Sequence, residues 1–327
     1  DFRDSEKMTQ TILILDAISE VVAKKMRDHL PPGFELDYAT ELGDDHLVEI
    51  IDQADYAISG QVPVSGRVLR AAKRLKLLHK WGVGVDNFDL EAARECGIKV
   101  ARTTGSNALS VAEFTLGLII CTLRHIPHGH FGLQHGRWQN WRGRTPFLLS
   151  GKTVGLVGFG AIGKAVAGVL AGFDCDTCYY KPNRLDPGEE DQHGVRYLPL
   201  AELLAVADVI SLHCPLSPNT NGLIDRAALS SMKNTATLIN VARGGVVVEQ
   251  DLIWALENDV IHSAAIDVYE IEPLPAGSPL INVKNLTLTP HLGAMAADTF
   301  APTVERMFAN IASVSRGESV PELDSVL

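Results

Sequence analysis

The hexad Gly158-Phe159-Gly160-Ala161-Ile162-Gly163 follows an apolar run, Thr153 to Val157, and opens a stretch with helical spacing that extends to about Ala171. That order restricts the local fold to a strand, a tight turn and a helix. The first glycine permits the sharp turn, the second lets a ligand approach the backbone, and the third lets the helix pack against its strand. The first amides of the helix lack internal partners and are aimed at whatever anion the turn holds, and this spacing suits a pyrophosphate. A glycine hexad by itself also occurs as a structural turn, so the reading depends on the strands around it.

Those strands can be read from the pattern. Apolar runs at Thr153 to Val157, Thr177 to Tyr180, Val209 to His213, Thr237 to Asn240, Ala264 to Val268 and Leu286 to Thr289 are expected to form a doubly wound parallel sheet. An earlier series, Ile12 to Leu15, Phe34 to Ala39, Tyr56 to Ser59, Leu75 to His79 and Ile98 to Val100, predicts a second, smaller α/β unit with helices between its strands. A single helix is expected from Asn107 to about Phe131, then a loop from Gly132 to Ser150. The last helix, about Ala297 to Arg316, has no following strand and is placed back on the first unit. The expected domains are thus 8–106 with 297–327, discontinuous, and 107–296, which carries the glycine turn.

With 327 residues, 46% hydrophobic and 21% charged, the chain can fill two such cores. Its longest apolar stretches are too short to span a bilayer, and no charged-then-apolar leader opens it, so no membrane association and a cytoplasmic location are expected. A net charge of −11 disfavours nucleic acid and anionic lipid and points to a small-molecule partner. The five cysteines fit a reducing compartment, and Cys175 and Cys178, although a C-x-x-C, fall where a strand is expected and read as structural thiols. His125, His128, His130 and His135 cluster around Pro127 without acidic or thiol partners, so no metal is expected. Trp138, Trp141, Arg142 and Arg144 suit either a dimer contact or packing under a loop. Residues 1–7 are polar and are left out of the fold argument.

An NAD-specific turn carries Asp or Glu at the end of the strand after the glycine turn, to receive the ribose hydroxyls. Here Lys181 occupies that region and Arg184 follows, with no acidic residue between them. A cationic pair suits a 2′-phosphate, which favours NADP(H) and leaves NAD(H) as the alternative. The competing reading is two solvated charges in a loop.

Three segments fall at or after proposed strand ends, where open parallel sheets bind ligands: Asn240 to Gly245, Asp267 to Pro273 and Thr289 to Ala294. They bring together Arg243, Glu272 and His291. A guanidinium can hold the carboxylate and carbonyl oxygens of a keto acid, an imidazolium can supply a proton, and a carboxylate beside the imidazole favours its charged form.

With Gly151 to Gly155 leading into the glycine turn and His213-Cys214-Pro215-Leu216 following, these segments stand in an order that resembles the D-isomer-specific 2-hydroxyacid dehydrogenase family. The resemblance covers nearly the whole chain after Met8 and is of the glyoxylate/hydroxypyruvate reductase kind. It implies a Rossmann cofactor domain with a smaller flavodoxin-like substrate domain. It also implies an oxidoreductase that passes hydride between NAD(P)H and a small 2-keto or D-2-hydroxy acid such as glyoxylate or hydroxypyruvate, acting as a homodimer. By resemblance Arg243 orients substrate, His291 donates the proton, Glu272 pairs with His291, and Val83 and Gly84 receive the substrate carboxylate through their backbone. Cofactor contacts are implied for Gly158, Gly160, Ala161, Ile162, Gly163, Cys214, Pro215, Thr220, Val241 and Ala242, and Asp267 is implied to hold the nicotinamide amide.

Departures refine the expectation. Lys181 stands where the family often has Asp, Glu272 stands where formate dehydrogenases carry Gln, and no regulatory domain follows the last helix. A dinucleotide-sensing, corepressor-like interaction protein on the same fold is the alternative to an enzyme, and turnover of a keto acid separates the two.

Overall fold

The computed structural model describes residues 9–138 and 145–327, which form two compact units. One comprises the chain up to Asn107 together with Ala296–Leu327, and the other comprises Ala108–Met295. Trp141, Arg142 and Arg144 lie outside the described residues.

The first unit is built on β1 (Gln10–Ile14), β2 (Phe34–Tyr38), β3 (Tyr56–Ser59), β4 (Leu77–Lys80) and β5 (Lys99–Ala101). They pair in parallel in the order β2-β1-β3-β4-β5, which is the flavodoxin order. β3 and β4 are buried along their whole length, which explains why they read as short apolar runs, whereas the edge strand β2 alternates, with Glu35 and Asp37 exposed. The helix Ala297–Ser315 lays Val304, Met307, Phe308 and Ile311 against Ile12, Ile14, Ile58 and Leu77. Burying each such side chain stabilises by about 1.5–3 kcal/mol, enough to bring this segment back to the sheet across the whole intervening unit. Buried Asp324 then ties the chain end down, accepting from Arg306 at 2.6 and 2.8 Å, from the Thr104 amide at 3.0 Å and from Asn310 at 3.0 Å.

The second unit contains β6 (Thr153–Val157), β7 (Asp176–Tyr180), β8 (Arg196–Tyr197), β9 (Val209–Leu212), β10 (Thr237–Asn240), β11 (Ser263–Ile266) and β12 (Leu286–Leu288). The sheet has seven strands in the order β12-β11-β10-β9-β6-β7-β8. This is the Rossmann order, with the reversal between β6 and β9. The sequence pattern leads to six strands because the edge strand β8 has 2 residues, too few for any periodicity to register.

The expected single helix after Asn107 is two helices, Ala108–Leu123 and Ile126–Gln134, bent by 63°. The break has a local cause. Pro127 has no N–H to give to Leu123, so it ends one helix and fits the first turn of the next, while His125 between them takes φ 54°. The segment from Gly132 expected as loop accordingly begins with the end of this second helix. No single helix among the described residues is long and apolar enough to cross a membrane. Cys178 lies buried in β7, where desolvation pushes its thiol up to about 11, so it is an inert packing group.

Candidate active site

The glycine turn lies where the strand order reverses, between the carboxyl ends of β6 and β9. Gly158 has φ +96°, and a Cβ there would meet the His213 carbonyl carbon and the Cys214 nitrogen at 2.6 Å. Only glycine lets the turn lie against the end of β9 in this way. At Gly163 a Cβ would meet the Gly158 oxygen at 2.5 Å, which is the close packing of helix Ala161–Leu170 on its strand. At Gly160 a Cβ would meet nothing within 4 Å, so this glycine faces open space. Gly160 is also the cap of the helix and offers no side chain to its first amides, which belong to Ala161 and Ile162. An open approach to unshielded helix amides fits a dinucleotide pyrophosphate.

Around the turn, Cys214 is buried with its thiol pushed up to about 11 by desolvation, which leaves its backbone as the accessible chemistry. The Thr220 hydroxyl donates to the Pro215 carbonyl at 2.6 Å and accepts the Ser217 amide at 2.8 Å, so it shapes the loop that follows β9. Both ring nitrogens of His213 are shut from solvent and, among the described residues, have no hydrogen-bond partner, and desolvation lowers its pKa to about 3, so the ring is neutral.

Lys181 is half-buried at the end of β7. Arg184 has a side chain 58% exposed and is ion-paired. Its Nε and Nη2 each donate at 2.8 Å to the two oxygens of Glu190, which comes from the helix Pro187–His193. The Tyr179 hydroxyl donates to the same carboxylate at 2.7 Å and accepts the Leu185 amide at 2.9 Å. Arg184 thus shapes the loop after β7.

The Arg184 guanidinium and then the Tyr179 hydroxyl hold the Glu190 carboxyl down to about 2 from an ordinary 4.5. A carboxylate depressed by folding adds stability that is present above its unfolded value and is lost as pH falls through the folded one. Glu190→Gln is therefore expected to lower Tm at neutral pH and to flatten the loss of Tm between pH 4.5 and about 2, read by calorimetry. Parallel Tm curves for the two proteins would refute this.

The catalytic candidates sit on loops at the ends of β10, β11 and β12. Asn240, 1% exposed, accepts the Ala242 amide on Oδ1 at 3.0 Å and donates from Nδ2 to the Arg243 carbonyl at 2.9 Å. Val241 and Ala242 are buried within this loop, and the half-buried Arg243 donates from Nη1 to the Ala242 carbonyl at 2.8 Å. The next residue, Gly244, packs so tightly that a Cβ would lie 1.9 Å from the Tyr269 carbonyl carbon. The loop of Arg243 and the loop of Glu272 are thereby pressed together.

Glu272 Oε2 accepts from His291 Nδ1 at 2.7 Å, and Oε1 accepts the Tyr269 amide at 3.0 Å. Burial raises the Glu272 pKa, but the hydrogen bond and charge of His291, with help from the Tyr269 amide and the Arg243 charge, outweigh it and leave the group below its usual range. An ionised carboxylate only accepts, so Nδ1 of His291 carries its proton and Nε2 is the nitrogen left to exchange one with a ligand. His291 itself adopts φ 52°, and the buried Asp267 explains how that turn is held. Its carboxylate accepts from Thr289 Oγ1 at 2.6 Å, from the Leu292 amide at 2.9 Å and from the Gly293 amide at 2.8 Å, while its carbonyl accepts the His291 amide at 2.9 Å. In the structure, then, Asp267 spends its carboxylate on the histidine turn.

Asn240, Gly244 and Tyr269 are the supporting residues that motif reasoning passed over. All three stood inside the strand-end segments, but a side-chain bond to the backbone and a distance between two loops have no periodicity to betray them.

In the other unit, Val83 and Gly84 follow β4, and among the described residues no partner takes either amide N–H. The Thr103 amide and hydroxyl hold this turn by donating to the Gly82 carbonyl at 2.9 and 3.1 Å.

The chain is 36% identical over 269 residues to the hydroxypyruvate reductase of Thermotoga maritima, covering 81% of this chain and 86% of that protein. It is 33% identical over 313 residues to human D-3-phosphoglycerate dehydrogenase, which is 94% of this chain and 57% of the human protein. This chain therefore spans little more than half the length of that relative. The crystal structure of a glyoxylate reductase from Paecilomyes thermophila superposes with a TM-score of 0.83 at 28% identity, covering 97% of this chain and 98% of the other. Residues 116–293 match the NAD binding domain of the D-isomer specific 2-hydroxyacid dehydrogenases, and the chain belongs to that family.

Proposed function

We propose that the chain reduces a small 2-keto acid to its D-2-hydroxy acid, with NADPH preferred over NADH and with glyoxylate or hydroxypyruvate as substrate. The observation that carries the reading is the His291–Glu272 pair, 2.7 Å from Nδ1 to Oε2, with Arg243 close enough for its charge to act on Glu272. The named activities of the hydroxypyruvate and glyoxylate reductases support the substrate class.

The reduced nicotinamide, when bound, supplies the hydride. The residues of the chain do the rest. Arg243 holds the carboxylate and carbonyl oxygens of the keto acid, and Val83 and Gly84 receive the carboxylate on their amides. His291 gives the proton on Nε2 to the developing alkoxide, so the carbonyl gains one hydride and one proton. Glu272 keeps Nδ1 protonated throughout and so leaves Nε2 as the nitrogen that exchanges the proton. Residues 107–296 serve the cofactor in this reading, and 8–106 with 297–327 serve the substrate. The exposed Phe131, Leu133 and Trp138 support a homodimer as the working form.

The test is the loss of reduced-cofactor absorbance with NADPH and NADH in parallel, on glyoxylate and hydroxypyruvate, for the native chain and for Lys181→Asp. Native turnover favouring NADPH is expected. The aspartate variant should shift the ratio of kcat/KM values towards NADH by roughly tenfold to a hundredfold, the worth of one hydrogen bond to a charged group. A native preference for NADH would remove Lys181 as the phosphate contact and keep the reductase. Tight cofactor binding without turnover would replace the enzyme by a dinucleotide-sensing protein.

A further inference from the structure

Asp16, Lys80 and Asn87 lie at the carboxyl edge of three neighbouring strands, following β1, ending β4 and following β4, with β3 between β1 and β4. Asp16 Oδ2 accepts the Gly60 amide at 2.5 Å, and its Oδ1 accepts the amides of Gln61 and Val62 at 2.9 and 3.2 Å. Successive amides converging on one anion form a nest, and here the anion is a side chain of the protein itself. From the other side, Lys80, 7% exposed, donates from Nζ to the Gly60 carbonyl and, at 2.8 Å, to Asn87 Oδ1. Its ammonium also lies 5.3 Å from the centre of the Phe88 ring. The Asn87 amide completes the link by donating to the Val62 carbonyl at 2.9 Å.

A buried ammonium is costly unless its donors are satisfied, and these acceptors come from two different loops. One loop, Gly60 to Val62, follows β3, and the other, Gly82 to Asn87, carries the Val83 and Gly84 amides. We propose that Lys80 is a positioning residue that fixes the carboxylate-receiving amides of Val83 and Gly84 relative to the Gly60–Val62 loop. In the same proposal Asp16 sets the conformation of the Gly60–Val62 loop alone, and that loop meets the substrate beyond its keto carbon. Both charges are spent on the Gly60–Val62 loop, Asp16 on its amides and Lys80 on its Gly60 carbonyl. This rests on the reading that Val83 and Gly84 receive the carboxylate. It adds a division of labour: Lys80 governs binding of every 2-keto acid, and Asp16 governs discrimination by tail.

The experiment uses the full chain with Lys80→Met, Lys80→Arg and Asp16→Ala, and compares glyoxylate, which has no tail, with hydroxypyruvate. Lys80→Met should raise KM for both substrates by about tenfold or more while kcat stays within about threefold, and Lys80→Arg should recover most of the loss. Asp16→Ala should leave glyoxylate nearly unchanged and shift the hydroxypyruvate-to-glyoxylate ratio of kcat/KM by about tenfold. Backbone hydrogen exchange gives a readout that needs no turnover. Lys80→Met should speed exchange in both loops, and Asp16→Ala only in Gly60 to Val62. Unchanged KM in Lys80→Met, equal losses for both substrates in Asp16→Ala, or kcat and Tm falling together in all three variants would overturn the proposal. If the native chain turns over neither substrate, the reductase reading fails, and exchange confined to one loop in Lys80→Met would overturn the clamp separately.

Discussion

His291→Gln is expected to lower kcat for keto-acid reduction by about 10²–10⁴-fold while leaving cofactor affinity within about twofold, because general acid catalysis contributes on that scale. The reasoning is local. Glu272 Oε2 holds Nδ1 at 2.7 Å, which orients the ring and fixes its tautomer, so Nε2 is the proton source. Glutamine keeps a hydrogen-bonding end for Glu272 but offers no acid that can release a proton at neutral pH. The Asp267 cage around the turn uses the backbone of Leu292 and Gly293 and the hydroxyl of Thr289, none of which is changed, so the fold should persist. The measurement is steady-state kinetics with fluorescence titration of NADPH. A variant with native kcat would assign the proton to another group.

Gly244→Ala carries the second large effect. A methyl group at this position would lie 1.9 Å from the Tyr269 carbonyl carbon, 2.0 Å from its oxygen and 2.4 Å from the Glu270 nitrogen, and backbone cannot yield as a side chain end can. The loops of Arg243 and Glu272 must therefore separate. Overpacking costs on the order of 1–3 kcal/mol and lowers Tm accordingly. The larger consequence is catalytic, since a misplacement of about 1 Å in a reacting geometry can cost 10²-fold in rate. Arg243 and the His291–Glu272 pair would be displaced relative to one another although neither has been altered. Calorimetry with kinetics on the same preparation checks both parts, and native values for both would show that the contact relaxes at no expense.

The two proteins would fail in different ways. His291→Gln should lose rate and keep stability, whereas Gly244→Ala should lose both. Equal stability losses would mean that the histidine turn depends on the ring itself rather than on Asp267.

Features carried by local pattern are already legible in the amino-acid order. The strand, turn and helix around Gly158 to Gly163 were legible because the glycine spacing stands directly between an apolar run and a stretch with helical spacing. Most strands of the two sheets were legible because central parallel strands covered on both faces are largely apolar, whereas β8, with 2 residues, is too short to register. Arg243, Glu272 and His291 could be picked out because each follows such a strand, at the edge where open sheets bind ligands. The break at Pro127 is not legible in this way, because the apolar pattern runs on past the proline and gives a single helix where the structure has two.

The tertiary structure decided the matters that depend on who meets whom. The open or engaged state of Arg184 turned on Glu190, which is close in sequence but reaches it only once the helix after β7 has formed. Asp267 proved to hold the histidine turn through amides of a later segment, and Gly244 proved to be a contact between loops. Asp16 and Lys80, distant in sequence and opposite in charge, came to serve the same loop because β1, β3 and β4 are neighbours in the sheet. The physical reason is common to all of them. Side-chain hydrogen bonds and backbone contacts are short-ranged and directional, so they leave no trace in periodicity, and only the folded register brings donor and acceptor within reach.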